Sequence, residues 1–281
     1  MINIDEKLKV VKHETAFPIS YSKVRTLYEC PAKFYKQYLI FDKDRGVVNN
    51  QHEFDMGNII HKVLERTIMY GPARSWDYTL VDFNAIWNTV KNSGRYACAE
   101  TYKDQVTELY VPTKEAFQTI YGFIKKNGYT PKEEYNVVVT RDGRFTNYGR
   151  LPWSQQFFRG YIDLFLQNKN KAIIIDYKKD GYDRHQNINN FQLTLYAYII
   201  FNFFPEIEKI NTIDYYIKDR KMVGREEGPF IKHQDFKMLE EYIDEEVDKF
   251  VERVNSIDNR VKCTKDSERC NWCPFFNSTG E

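Results

Sequence analysis

Two short apolar segments joined by a polar turn constrain the fold of this chain more than any other feature. The segments FFRGYIDLFLQ (157–167) and KAIIIDYKK (171–179) flank Asn168-Lys169-Asn170, which is the pattern of an antiparallel hairpin. If the turn centres on Lys169 and Asn170, Asp163 lies opposite Asp176. Alternation along the strands then places Asp163, Asp176 and Lys178 on one face, and Ile162, Leu164, Ile173 and Ile175 on the other.

The two opposed acids call for a compensating charge. Directly opposite residues have Cβ atoms about 4.5–5.5 Å apart, and like charges at that distance destabilise a sheet. A bound cation would relieve the repulsion between Asp163 and Asp176, so the pair predicts a metal site. The alternative is that both acids lie at solvent-exposed strand ends without a function, and a slip of one residue would break the pairing. Spacing alone leaves both interpretations open.

The remaining pattern predicts one α/β domain with a small mixed sheet flanked by helices. Within a single domain of residues 1–281, we expect an N-terminal helical segment (18–50), a helical insertion (72–130), a catalytic β-core (131–220) and a C-terminal helix with clustered cysteines (235–281). The individual elements predicted are helices over 18–40 (interrupted at Cys30-Pro31), 53–70, 189–203 and 235–256, a mostly helical stretch over 80–127, and strands from 133 and over 211–218.

Composition excludes some functions. The net charge is +1, so any contact with nucleic acid must come from a local patch and not from a generally basic surface. No stretch approaches the roughly 18 apolar residues of a membrane span, and the N-terminus lacks a signal-like apolar segment. We therefore expect a cytoplasmic protein that does not enter a membrane.

Polar residues recur at helical spacing on both sides of the hairpin. Gly57, His61 and Glu65 follow one another at intervals of four, as do Gln192 and Tyr196. Each set therefore lies along one helical face. Gly57 would also allow a neighbouring backbone to approach closely.

These residues together resemble the PD-(D/E)xK nucleases, and more narrowly their RecB-like branch, which includes the CRISPR-associated iron–sulfur exonucleases and the nuclease domain of AddB. The four motifs stand in the family order, with thirteen positions from the first acid to the second. They are Gly57-x-x-x-His61-x-x-Leu64-Glu65, Gly160-Tyr161-Ile162-Asp163, Ile175-Asp176-Tyr177-Lys178 and Gln192-x-x-x-Tyr196. The resemblance implies a restriction-endonuclease-like core.

The resemblance also implies a metal-dependent DNA exonuclease, acting at single-stranded ends in recombination, repair, replication or CRISPR adaptation. Mg²⁺ or Mn²⁺ would be bound by His61, Asp163, Asp176 and the backbone carbonyl of Tyr177. Lys178 would orient the attacking water, while Gln192 and Tyr196 would act by positioning. DNA would be contacted by Arg159, Lys179, Tyr182 and Arg184, because basic and aromatic side chains bind single strands without sequence preference.

Clustered cysteines indicate a second metal centre. Cys263, Cys270 and Cys273 lie within eleven positions, and four thiolates are the usual number for such a site. In the iron–sulfur members of the RecB-like branch, one cysteine near the N-terminus completes the set, which implies Cys30 here and a 4Fe–4S cluster that ties the chain ends together. Many relatives place their last cysteine beyond the CxxC pair, whereas here the extra cysteine precedes it. Zn²⁺ fits the spacing equally well.

Three further interpretations accompany this assignment. Cys98 has apolar neighbours and is interpreted as an inert thiol. A non-catalytic nucleic-acid-binding or scaffold subunit with a nuclease-like fold is the alternative to the enzyme. The third hypothesis is a zinc-stapled protein whose cysteines serve an interface with a partner.

Overall fold

The computed structural model describes residues 18–39, 51–74, 82–95, 102–146, 151–179 and 190–257. Within these ranges the chain is a mixed α/β protein whose central mixed sheet is flanked by helices, consistent with a restriction-endonuclease-like fold. The chain divides into two units, of which the first comprises 1–50, 136–160 and 237–281 and the second comprises 51–135 and 161–236. In the described part of the chain, no helix is long and apolar enough to cross a membrane.

The α-helices are α1 (Tyr21–Glu29), α2 (Pro31–Phe34), α3 (Gln51–Arg74), α4 (Phe83–Lys91), α5 (Lys103–Glu108), α6 (Tyr110–Asn127), α7 (Asn190–Phe203) and α8 (Lys232–Ser256). A π-helix (Tyr35–Leu39) continues α2, and a 3-10 helix (Trp153–Gln155) precedes β3. The strands are β1 (Thr130–Thr140), β2 (Phe145–Thr146), β3 (Gln156–Asn168), β4 (Lys171–Lys178), β5 (Lys209–Tyr216), β6 (Lys221–Gly224) and β7 (Phe230–Ile231). The predicted helices and the strands β1, β3, β4 and β5 are present, whereas the short strands β2, β6 and β7 had not been predicted.

The second unit is organised around the predicted hairpin. Residue pairs run from Asn168↔Lys171 to Leu164↔Ile175, which is the register expected from the sequence. The strand order of the sheet is β2-β1-β3-β4-β5-β6, with β7 also pairing with β5. The β4–β5 pair is parallel, with α7 as the crossover between the two strands.

The core of this unit explains why one face of the hairpin is apolar. Leu164, Leu166, Ile173 and Ile175 are buried in one cluster with apolar residues of α3, α4 and α6. The apolar stripe of α3 is fully buried in the same cluster. Burial of such side chains stabilises the fold by about 1.5–3 kcal/mol each, so this packing fixes α3 against the hairpin.

In the first unit, Cys30 and Pro31 separate the first two helices. Ser20 caps α1, and Pro31 begins α2 after Cys30, as predicted from the missing N–H of proline. The α2 residue Phe34 packs edge-to-face on Phe250 of α8 at 5.8 Å. Arg253 of α8 lies 4.0 Å from the centre of the Tyr28 ring. The end of α8 therefore packs beside the residues that precede Cys30.

Lys23 of α1 carries a charge in a partly buried position. Its Nζ donates a 2.6 Å hydrogen bond to the carbonyl of Pro18. Burial, and then the charge of Arg159, lower the pKa of Lys23 from 10.5 to about 8. The folded state therefore loses this proton before the unfolded state does, and the free energy of unfolding should rise between pH 8 and pH 10.5.

We expect Lys23→Met to be more stable than the wild type at pH 7, by about 1 kcal/mol after allowance for solvent screening. Its advantage should shrink as the pH passes through 8, because the wild-type lysine then becomes neutral. Urea unfolding at pH 7 and at several values up to pH 10 measures the difference. Lys33→Met, on the next helix, controls for the introduction of a methionine. An advantage that does not change with pH would contradict the assignment.

Candidate active site

The second unit brings most of the predicted site residues together. Asp163 lies near the middle of β3, Asp176 and Lys178 near the end of β4, and His61 on α3. Asp163 and Asp176 are the next positions beyond the last described pair of the hairpin register. Gln192 and Tyr196 reach the same strands from α7.

Asp163 is held by His61 and by the backbone of β4. Its Oδ1 lies 3.2 Å from His61 Nδ1, and its Oδ2 accepts a 2.8 Å hydrogen bond from the N–H of Tyr177. His61 Nε2 lies 3.1 Å from the carbonyl oxygen of Tyr177. One imidazole ring therefore contacts two of the predicted metal-binding oxygens.

The opposite charges of His61 and Asp163 stabilise each other. Burial lowers the pKa of His61, but the charge and the hydrogen bond of Asp163 outweigh it and raise that pKa to about 9. Burial in turn raises the pKa of Asp163, and the imidazolium charge outweighs it and holds that pKa below its usual range. At neutral pH both nitrogens of His61 consequently donate, one to Asp163 and one to the Tyr177 carbonyl.

Asp176 is more deeply buried and differently paired. Lys178 forms an ion pair with its Oδ2, and Gln192 Nε2 donates to its Oδ1 at 2.9 Å. Burial raises the pKa of Asp176 to about 6, although the ammonium of Lys178 opposes that shift. The same-face arrangement of Asp176 and Lys178 predicted from strand alternation is thus observed as a direct ion pair.

Gln192 and Tyr196 form a support behind the acids. The Tyr196 hydroxyl donates to the carbonyl of Tyr161 at 2.8 Å, and Gln192 Nε2 lies 3.5 Å from that hydroxyl. Burial raises the pKa of Tyr196, so the phenol keeps its proton. The buried Oε1 of Gln192 accepts no hydrogen bond from the described residues.

One acid of this cluster had not been singled out from the sequence. Asp214 of β5 is 8% exposed and is the register partner of Asp176 on β4. Its Oδ1 lies 4.0 Å from Lys178 Nζ. The available signal was a single acid within the otherwise apolar and aromatic strand pattern TIDYY. Assigning Asp214 to the site required the register of the parallel pair β4–β5, which local sequence spacing does not provide.

Other predicted residues lie elsewhere or take other partners. Glu65 is ion-paired with Lys62. Apart from the nearby backbone of its own helix, no described atom lies within 4 Å of the point where Gly57 would carry a Cβ, so the expected close approach of a neighbouring backbone is wrong for the described residues. Lys179 is partly exposed just after β4, and Arg159 belongs to the first unit. Tyr182, Arg184, Cys98, Cys263, Cys270 and Cys273 lie outside the described residues.

The donor atoms of the site are suited to a hard cation. Two carboxylates, a carbonyl oxygen and an imidazole are the ligand types of Mg²⁺ and Mn²⁺ sites, and the unpartnered Oε1 of Gln192 leaves an acceptor for water beside Asp176. Among the described residues, no three His, Cys, Asp or Glu side chains are already gathered as a ligand set. Lys178 and protonated His61 supply the positive charge next to the two carboxylates instead.

A mixed sheet flanked by helices, with two acids and a lysine presented from one hairpin, is consistent with the restriction-endonuclease-like class of nuclease folds. The sequence profile of the PD-(D/E)XK nuclease superfamily matches residues 18–278, and the chain belongs to this superfamily. Its members are generally nucleases and commonly use Mg²⁺ or Mn²⁺.

Comparison with curated proteins gives no match. Among solved structures, the chain is similar to one titled "Crystal structure of SSO0001", with 14% identity and a TM-score of 0.33. The likeness covers 97% of this chain and 89% of the other. A TM-score this low does not define the fold.

Proposed function

We propose that this protein is a divalent-metal-dependent deoxyribonuclease of the RecB-like branch, an exonuclease that hydrolyses phosphodiester bonds at single-stranded DNA ends. The observation that carries the proposal is the convergence of Asp163, Asp176, Lys178 and His61 within one unit of a PD-(D/E)XK superfamily member. A surface role would not explain why two acids and a lysine gather in a sheet with Asp176 buried and the side chains of Asp163 and Lys178 no more than 15% exposed, because taking each charge out of water costs desolvation energy.

Mg²⁺ or Mn²⁺ would be held by His61, Asp163, Asp176 and the Tyr177 carbonyl. His61 would bind as the neutral imidazole, so metal binding would release the proton that it carries in the metal-free protein. When bound, the metal lowers the pKa of a water and neutralises charge on the phosphate. The residues of the chain prepare the site for it: the Tyr177 N–H fixes Asp163, and Gln192 fixes Asp176. Preformed hydrogen bonds of this kind remove the need to order the ligands during the reaction.

Lys178 would act as the electrostatic partner of the reacting phosphate. Its side chain is 15% exposed, so its charge is screened less than that of a surface lysine. The proposed role is to orient the attacking water and to stabilise the negative charge of the transition state. Tyr196, through the Tyr161 carbonyl, would keep β3 in register behind Asp163.

A 4Fe–4S cluster on Cys30, Cys263, Cys270 and Cys273 is part of the proposal, with Zn²⁺ as the alternative. The packing of Tyr28 against Arg253 supports it, because Tyr28 lies two positions before Cys30 and contacts the end of α8. Cys263 follows the last residue of α8 by seven positions, a reach of at most about 25 Å. Such a cluster would join the two ends of a single nuclease domain.

We propose that DNA binds beside the C-terminal end of β4, where Lys179 is partly exposed and Tyr182 and Arg184 follow in sequence. Arg159 is the fourth proposed contact. The aromatic and basic side chains would hold bases and phosphates of a single strand without sequence readout. The biological partners would be proteins of recombination, replication or CRISPR adaptation.

The proposal is tested with anaerobically purified protein on 5′- and 3′-labelled DNA and RNA, single- and double-stranded. We expect stepwise release of nucleotides from single-stranded DNA with Mg²⁺ or Mn²⁺, and none after chelation by EDTA, because the carboxylates alone cannot activate water. The two end labels distinguish the direction of digestion and separate exonuclease from endonuclease products. DNA binding without cleavage under either metal would support the non-catalytic scaffold instead.

A further inference from the structure

Asp214 of β5 is the register partner of Asp176 and lies beside the proposed catalytic residues Asp176 and Lys178. Parallel strands place register partners on the same face of a sheet, so Asp214 and Asp176 point to the same side of β4 and β5. On its other side, Asp214 pairs in register with Val223 of β6, which brings no charge. Toward β4, Asp214 is next to the charges of Asp176 and Lys178.

The three charged groups form a chain of alternating sign. Lys178 Nζ is ion-paired with Asp176 and lies 4.0 Å from Asp214 Oδ1. Asp176 is 5% exposed and Asp214 is 8% exposed, so water screens their mutual repulsion poorly. The two neighbouring carboxylates repel each other, and this repulsion is an electrostatic cost of Asp214 to the fold.

We propose that Asp214 is a positioning residue, which helps to hold the ammonium of Lys178 from the neighbouring strand β5. This inference rests on the proposed nuclease function. Asp176 has another task in that function, as a ligand of the metal, and cannot then be the only anion that orients Lys178. A second carboxylate on the neighbouring strand keeps the ammonium aimed at the reacting phosphate while Asp176 is engaged.

A purely structural role predicts the opposite balance of effects. If Asp214 only stabilised the sheet, its neutral isostere would lower the melting temperature and leave turnover unchanged. If Asp214 orients Lys178, removing its charge relieves the repulsion with Asp176 but takes away one of the carboxylates that position Lys178. Stability should then hold or increase while catalysis falls.

The test uses Asp214→Asn and Asp214→Glu in the full-length protein, with Asp219→Asn in the exposed turn after β5 as the matched control. For Asp214→Asn we expect a fall in kcat of about 10- to 100-fold. Its KM for DNA should stay within about twofold, and its melting temperature should be equal to or above that of the wild type. Asp214→Glu restores the charge and should recover part of kcat, whereas Asp219→Asn should match the wild type in every measurement.

The outcomes separate this inference from the function on which it rests. A wild-type kcat in Asp214→Asn, or a lower kcat that Asp214→Glu does not improve, would overturn the positioning role. A lowered melting temperature without a change in kcat would show a structural residue. If Lys178→Ala cleaves DNA as fast as the wild type, the assignment of the active site itself has failed, whatever Asp214 does.

Discussion

Asp176→Asn is expected to lower the rate of DNA cleavage by about 1,000-fold or more, with the protein still folded. Asparagine has the shape of aspartate and can still accept the hydrogen bond from Gln192. It lacks the negative charge that the proposed metal requires and that pairs with Lys178. Initial rates on labelled single-stranded DNA measure the loss, and circular dichroism with thermal unfolding checks the fold.

Asp176→Asn is a better first test than Lys178→Ala, because the two substitutions differ in how much they destabilise the fold. Lys178→Ala leaves Asp176 and Asp214 facing each other with their shared cation removed. Loss of one member of a buried ion pair costs about 3–5 kcal/mol, which is a large part of the stability of a typical domain. Lys178→Ala should also be inactive, but its inactivity is informative only where its unfolding curve shows a folded protein.

Controls for both changes lie on the same unit. Lys171→Ala alters an exposed lysine at the start of β4 and should retain wild-type cleavage. Asp219→Asn alters an exposed acid in the turn after β5 and should also retain wild-type cleavage. If Asp176→Asn cleaves DNA at the wild-type rate with either metal, the hairpin is not the catalytic centre, and the scaffold hypothesis becomes the better one.

The hairpin could be predicted from the sequence because its determinants are local. A two-residue turn fixes the register of the strands beside it, and the strand period of two fixes which side chains share a face. The ion pair between Asp176 and Lys178 and the buried face of Ile173 and Ile175 both follow from that period. The stripe of α3 followed in the same way from the helical period.

The rest of the charge arrangement depends on contacts between elements distant in sequence. Asp214 meets Asp176 only because α7 carries the chain across to a parallel neighbour of β4. Hydrophobic periodicity identifies such a strand but does not set its register, because no short turn connects it to its partner. The sequence likewise predicted a cation beside Asp163 and Asp176, but not that a protonated His61 would supply positive charge to Asp163.

Cys30→Ser is expected to remove most of the iron of the proposed cluster and to lower the melting temperature by more than about 10 °C. Ligation of a four-thiolate site contributes on the order of 10 kcal/mol to folding, and a hydroxyl does not replace a thiolate in such a set. The backbone N–H of Lys33 donates to the Cys30 sulfur at 3.4 Å, and serine can still accept that hydrogen bond and cap α2. The loss of stability would therefore report ligation and not a lost helix cap.

The measurement is iron and zinc content, together with visible absorption and thermal unfolding, on anaerobically purified protein. Cys98→Ser is the matched control, since Cys98 is predicted to be an inert thiol, and it should keep the full metal content. A colourless wild type that carries zinc and still cleaves DNA would replace the iron–sulfur assignment with the zinc alternative, and Cys30→Ser should then lose zinc. Full metal content and unchanged melting in Cys30→Ser would exclude Cys30 as a ligand, because a site that loses one of four thiolates cannot keep both its affinity and its contribution to folding.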